Sequence, residues 1–327
     1  MISKRTLYKP VISVLRLCAG RWLWALALMG ATTAQADLHY GSTAEDTRWQ
    51  VSGSIFECRF EQPIPGYGRA VFYHEAGEDV EFRLETLRNL MAYSPAEVTI
   101  LPPPWQPSGK AERLGQVKVV NATPNLSLDA RRTNQFLHAL LEGKWPSVSH
   151  TAYYDKARHV RVHVSAVAFN DYYPVYLQCV DQLLPMNFRQ VNRLKVLFGS
   201  GEEKIDAEDM AILDQIIHYI QNDPRVFAVY LDGHADNLGR RYDNRQISKA
   251  RVEDVERYFI TKGINPDMLT TRFHGDRYPV ADNRTAAGRA ENRRVTIRLE
   301  QRQDMPVPDN LIFRPQPVVA GGVTPDA

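Results

Sequence analysis

Val226-Phe227-Ala228-Val229-Tyr230-Leu231 runs into Gly233-His234-Ala235-Asp236-Asn237-Leu238-Gly239, followed by Tyr242-Asp243-Asn244-Arg245-Gln246-Ile247-Ser248-Lys249-Ala250-Arg251. The first run is continuously apolar and reads as a buried strand. The glycine-bounded run reads as a connection. The third opens a long helix predicted from about Arg241 to Lys262 and ended by Gly263. Asp236 therefore stands just past a strand end, which is where open α/β sheets bind ligands. Arg251 follows on the helix, two turns or more from its start. A carboxylate and a guanidinium facing one cleft suit a zwitterion.

The flanking sequence completes an α/β pattern. A strand at Arg193–Phe198 precedes an acidic helix start at Asp206-Ala207-Glu208-Asp209. That helix runs to about Asn222, with Ile212, Ile216, Ile217 and Ile220 spaced for one buried face. Asp223-Pro224 stops it. Leu269–Phe273 and Val295–Leu299 are further strands. Strands alternating with helices predict a βαβαβ-type sandwich over residues 188–300. Beyond it, residues 301–327 carry Pro306, Pro308, Pro315 and Pro317 with few apolar clusters, and read as a disordered tail.

Further landmarks follow at Gly263-Ile264, Gly275-Asp276, Pro279-Val280-Ala281-Asp282-Asn283 and Gly288-Arg289-Ala290-Glu291-Asn292-Arg293-Arg294-Val295. With the opening stretch they resemble the OmpA-like peptidoglycan-binding domain. Alone, Asp-Asn before glycine is a common turn, and a helical arginine is usually a solvated charge. The ordered, dispersed match is what outweighs those readings. The resemblance implies that Asp236, Asn244 and Arg251 bind ligand, with Arg294 a weaker candidate. The implied ligand is the diaminopimelate-containing stem peptide of the Gram-negative wall. Its free end carries an ammonium for the aspartate and a carboxylate for the arginine fork. One departure is Ala235, where the family often has threonine.

The chain starts differently. Lys4, Arg5, Lys9, Arg16 and Arg21 precede an apolar run, Trp22–Ala31, and an Ala34-Gln35-Ala36 cleavage pattern. Residues 1–36 read as a secretory signal peptide; the apolar run is short for a spanning helix. The leader holds five basic residues and no acidic one, which leaves 35 basic against 38 acidic residues. The whole-chain charge of +2 becomes −3, and no basic excess points to nucleic acid. Two cysteines remain, Cys58 and Cys179. An even count in an exported chain predicts one disulfide, worth roughly 4–5 kcal/mol by loop entropy.

Residues 37–187 are rich in short strand-like runs: Trp49–Phe56, Ala70–Tyr73, Val80–Leu87, Glu97–Leu101, Gln116–Val120 and His159–Phe169. Apolar–polar alternation from Val160 argues half-buried antiparallel strands. One helix is predicted from Asp129 to Glu142. The sum is a mainly antiparallel β domain. Short strands, a Pro102-Pro103-Pro104 run and an intervening helix argue against an outer-membrane barrel. No G-x-S-x-G, P-loop or metal signature suggests an enzyme. His159 and His163 share a strand face without a third ligand, and no cofactor is predicted.

Glu57-Cys58, Gln62-Pro63-Ile64-Pro65-Gly66-Tyr67-Gly68-Arg69-Ala70-Val71-Phe72, Pro102-Pro103-Pro104-Trp105-Gln106-Pro107, Leu141-Glu142-Gly143-Lys144-Trp145-Pro146-Ser147 and Cys179 recur in that order. Together they resemble MotY-type periplasmic proteins of the flagellar motor. The resemblance implies a non-catalytic role in the T ring at the basal body. The N-terminal domain would meet the basal-body ring and a MotX-like partner or the stator complex, and the C-terminal domain the wall. Tyr67, Trp105 and Trp145 lie beside prolines and read either as interface anchors or as caps of the β core. A generic envelope anchor and, more remotely, a wall-targeted hydrolase are the rival functions.

Overall fold

A computed structural model describes residues 37–315 apart from Asn89, Pro104 and Pro107. The expected signal peptide (1–36) and the last part of the expected tail (316–327) lie outside the described residues.

Strands come first, as the alternation predicts. They are β1 (Leu38–Tyr40), β2 (Gln50–Gly53), β3 (Glu57–Ile64), β4 (Gly68–Glu75), β5 (Glu81–Thr86), β6 (Ala96–Leu101), β7 (Glu112–Val117) and β8 (Leu126–Leu128). Then follow α1 (Ala130–Leu141), β9 (Trp145–Thr151), β10 (His159–His163) and α2 (Phe169–Val180). Two five-stranded sheets result, ordered β1-β10-β9-β6-β7 and β2-β3-β4-β5-β8. All neighbours are antiparallel except β1 with β10. Alternate residues of β3 are buried, and Cys58, Phe60 and Ile64 lie with Phe72, Phe82, Phe136 and Phe169 in one core. Cys58 and Cys179 are bonded and fully buried, closing a loop of 121 residues. They tie β3 to α2.

One expectation for this domain is corrected and one open reading is decided. The run His159–Phe169 is a strand only to His163. Val164–Ala168 is irregular, Ala168 takes a left-handed φ of 57°, and Phe169 starts α2. Aromatic residues and an internal Pro174 hid that helix. Of the two readings of Tyr67, interface anchor or part of the β core, the second holds: it is fully buried and its hydroxyl is 2.8 Å from His150 Nε2. Trp145 is half-buried and stacks on His163 at 4.4 Å, whereas Trp105 is 67 % exposed.

The second core is built from α3 (Phe188–Val191), β11 (Arg193–Leu197), α4 (Ala207–Asn222), β12 (Val226–His234), α5 (Arg241–Thr261), β13 (Leu269–Gly275), α6 (Ala286–Asn292) and β14 (Arg294–Gln301). The sheet order is β11-β14-β12-β13. β12 and β13 are parallel and joined through α5, while β14 runs antiparallel to both its neighbours. Val229, Leu231, Val295 and Ile297 face Leu213, Ile216, Val252, Val255 and Phe259. Ile212, expected in the buried stripe of α4, is partly exposed, and Leu213 takes its place.

The expected disordered tail is also corrected. Residues 302–315 return to the β domain, with a 3-10 turn at Asp309–Leu311. Ile312 bridges Ser54, and Phe313 is buried in the first core. Proline richness misled because prolines also suit an extended strap that forms few backbone hydrogen bonds.

Candidate functional site

The end of β12 is shaped by close packing of α5. Gly233 has no side chain, and a Cβ there would lie 2.4 Å from Ser248 O and 2.5 Å from Val252 Cγ2. Ser248 Oγ accepts from Gly275 N at 3.1 Å, and Ala235 N donates to Gly275 O at 2.8 Å. The two parallel strand ends and the first turns of α5 are thus pinned together. The chain leaves this knot at Asp236.

Asp236 is 7 % exposed. Its Oδ1 accepts from Leu238 N at 3.1 Å, and its Oδ2 pairs with Arg293 Nη1 at 3.0 Å. Arg293 also donates from Nε to Phe198 O at 2.9 Å. Arg251 is fully buried, the largest side chain so enclosed. It donates to three carbonyls: Glu202 O (2.8 Å), His234 O (3.2 Å) and Gly199 O (3.1 Å). It also stacks 5.0 Å from the Phe198 ring. The connection after β11 is therefore wrapped around this guanidinium. Burial lowers the Arg251 pKa to about 10; nearby Arg293 pushes the same way and Asp236 opposes. The group stays cationic at neutral pH.

Asn244 lies in the first turn of α5 and is 6 % exposed. Its Nδ2 is buried and has no partner. A buried donor without an acceptor costs about 1–3 kcal/mol. Leu238 and Tyr242, 57 % and 70 % exposed, belong to the same connection and helix start.

Asp236, Asn244 and Arg251 are thus gathered at one end of the sheet, but Arg294 is not with them. Its guanidinium donates to Tyr278 O (3.2 Å) and Asn292 O (3.4 Å). It lines a separate hollow with Arg193, Lys195, Val280, Glu291 and Thr296. β14 begins at Arg294, so Arg293 precedes the strand and turns toward Asp236. The arginine paired with Asp236 is therefore Arg293. Asn292 is fully buried and holds the 280–283 loop, accepting from Val280 N and Ala281 N. Ala235, at the family's threonine position, is 5 % exposed.

His234 stacks on His274 at 5.0 Å, and His274 Nε2 lies 3.2 Å from Asp232 Oδ1. The His234 Nδ1 is buried without a partner. Burial, then Arg294 and His274, push its pKa down to about 4. Among the described residues, no group of three or more His, Cys, Asp or Glu side chains is placed to hold a metal.

This fold and strand-end site define an OmpA-type domain, and the OmpA family matches residues 197–293. Residues 40–185 match the MotY N-terminal domain, so the chain has the MotY-type organisation of a MotY N-terminal domain followed by an OmpA-family domain. The sodium-type flagellar protein MotY of Vibrio parahaemolyticus is 25 % identical over 282 residues, covering 85 % of this chain and 96 % of that one. Outer membrane protein A of Bordetella avium is 31 % identical over 128 residues, 38 % of this chain and 64 % of that one. The C-terminal domain of Helicobacter pylori MotB is similar over 34 % of this chain and 87 % of its own, at 24 % identity and a TM-score of 0.32.

Proposed function

We propose that this chain is a non-catalytic structural protein of the flagellar motor, resident in the periplasm. It holds peptidoglycan at Asp236, Asn244 and Arg251. Its N-terminal domain meets the basal-body ring, with a MotX-like protein or the stator as partner, in a T-ring-like assembly that supports torque. The similarity to MotY along most of the chain supports the motor role.

The observation that carries the wall-binding reading is the unpartnered Asn244 Nδ2 at the sheet end where Asp236 and Arg251 also lie. A diaminopimelate end carries groups that match all three. Its carboxylate accepts from the free N–H groups of Arg251 and Arg293 and its ammonium donates to Asp236. A peptide carbonyl accepts from Asn244. The Asp236–Arg293 pair then exchanges its internal partner for a ligand of both charges.

Co-sedimentation with purified sacculi tests the site. Asp236→Asn and Asn244→Ala are expected to weaken pelleting by roughly 10–100-fold, the loss of one charge-assisted or buried hydrogen bond. Arg294→Ala is the contrast and is expected to pellet like wild type. Arg251→Ala is a poor probe, because it would hollow out a fully buried position and remove three hydrogen bonds that hold the connection after β11 and the end of β12. Wild-type pelleting by both Asp236→Asn and Asn244→Ala would remove the assignment.

A further inference from the structure

The chain crosses between its two cores twice. The first crossing is the link through residues 185–192, where Leu184 already belongs to the second core. The second is the return of residues 302–313. Both meet at the turn between β2 and β3. Ile55 N donates to Leu311 O at 3.2 Å, Leu184 N donates to Ile55 O at 2.9 Å, and Phe313 N donates to Gly53 O at 2.9 Å. Ser54 and Ile312 form an antiparallel bridge.

The same turn reaches into the OmpA-type domain. The Phe56 ring lies beneath Arg225 at 4.4 Å and 6.0 Å from Tyr219. Arg225 is fixed by Asp223, a fully buried carboxylate. Asp223 also accepts from Tyr219 Oη at 2.9 Å and from Gln301 Nε2 at 2.6 Å. Gln301 is the last residue of β14, and the next residue, Arg302, donates from its backbone N to Arg225 O at 2.9 Å. One hub therefore fixes the end of α4, the start of β12, the end of β14 and the departure of the return segment. Phe313 anchors its far end in the β core.

We propose that residues 302–313 are a clasp that locks the OmpA-type domain onto the β domain, so that a pull on one is carried to the other through a packed joint. Without residues 302–313 the domains would be held by the 185–192 link, by the β2–β3 turn, and by the β4–β5 turn, where Asn187, Arg189 and Gln190 bond Glu78, Glu75 and Gly77 and Ala76 enters the second core. These contacts all lie on one side of the joint's two chain crossings and leave the second crossing loose. The clasp adds three things: backbone pairing at Gly53 and Ile55, a buried aromatic anchor, and the Asp223 hub at its root. Its existence does not depend on what the Asp236 cleft holds.

The purified chain tests this by amide exchange and calorimetry. In wild type, the Ile55 and Phe313 amides are expected to exchange slowly, with one thermal transition for both domains. Phe313→Ala, or truncation after Gln301, is expected to speed Ile55 exchange by on the order of a hundredfold, as removal of a buried aromatic does. The transition is expected to split in two. Sacculus pelleting by Phe313→Ala is expected to persist, which separates the clasp from the wall site. Fast wild-type exchange at both amides, or an unchanged single transition with Ile55 still protected in either variant, would overturn the clasp. If the truncated chain does not fold, the wild-type exchange and the Phe313→Ala variant decide.

Discussion

His234 shows how one buried side chain sets a pH limit on the site's support. The ring is 6 % exposed, its Nδ1 has no acceptor, and the guanidinium of Arg294 stands nearby. A proton there has nothing to hold it, so the folded-state pKa falls from 6.5 to about 4. The unfolded chain takes up a proton near pH 6.5 that the folded chain refuses. The stability this group contributes is full above pH 6.5 and is lost as pH falls toward about 4, by no more than about 3 kcal/mol. His74, His150 and His163 are lowered by burial too and add to the same acid weakening. Denaturant midpoints of wild type and His234→Gln, compared between pH 7.5 and 4.5, are expected to show a shallower acid loss in the variant. Parallel slopes would rule out His234 as a contributor. At this scale the positions of Asp236 just past a strand end and of Arg251 on the next helix were legible in the sequence pattern, and Asn244 through the family resemblance. Arg293 was not: choosing between adjacent arginines needs the first residue of β14, and sequence pattern leaves strand starts uncertain by a few residues.

At the scale of the element, α5 is the part that assembles the cleft, and its seat on the sheet depends on Gly233. Asn244, Ser248 and Arg251 project from three successive turns of this one helix. Gly233→Ala would drive a methyl group into Ser248 O and Val252, both of which belong to the rigid face of α5. The helix must shift, at a cost of about 1–3 kcal/mol for overpacking. A shift also moves Asn244 and Arg251 relative to Asp236, which comes from the strand side. Gly233→Ala is therefore expected to lower the melting temperature of the OmpA-type domain and to reduce sacculus pelleting together. Reduced stability with full pelleting would show that α5 is not what sets the cleft. The period-3.6 pattern made α4 readable, the glycine stop at Gly263 the end of α5, and the continuous apolar run β12. α2 escaped because its burial against β2 and β3 and the disulfide at Cys179 override the weak helical preference of an aromatic, proline-containing segment. The return segment escaped for a related reason: its order comes from partners more than 240 residues away in the chain, such as Gly53 for Phe313, and no local pattern records them.

At the scale of the whole molecule, the disposition of parts carries the functional argument. The β domain is closed by Cys58–Cys179, the OmpA-type domain presents its cleft at the far end of β12 from the Asp223 hub, and the hub and return segment join the two. No helix among the described residues is long and apolar enough to cross a membrane. On the function proposed above, the chain acts by holding one surface at a set distance from another, and loss of either grip should matter as much as loss of the chain. In a flagellated host, deletion is expected to leave filaments assembled while swimming fails or slows severely. Wild type supplied in trans should restore swimming, whereas Asp236→Asn should restore it poorly despite normal export and abundance. Tracking of single cells on soft agar and in liquid checks both. Normal swimming by the deletion strain would sink the motor reading and leave a generic wall anchor. Full rescue by an Asp236→Asn chain that no longer pellets with sacculi would detach wall binding from motility and put the working surface on the β domain, where Trp105 is an exposed aromatic able to anchor a partner.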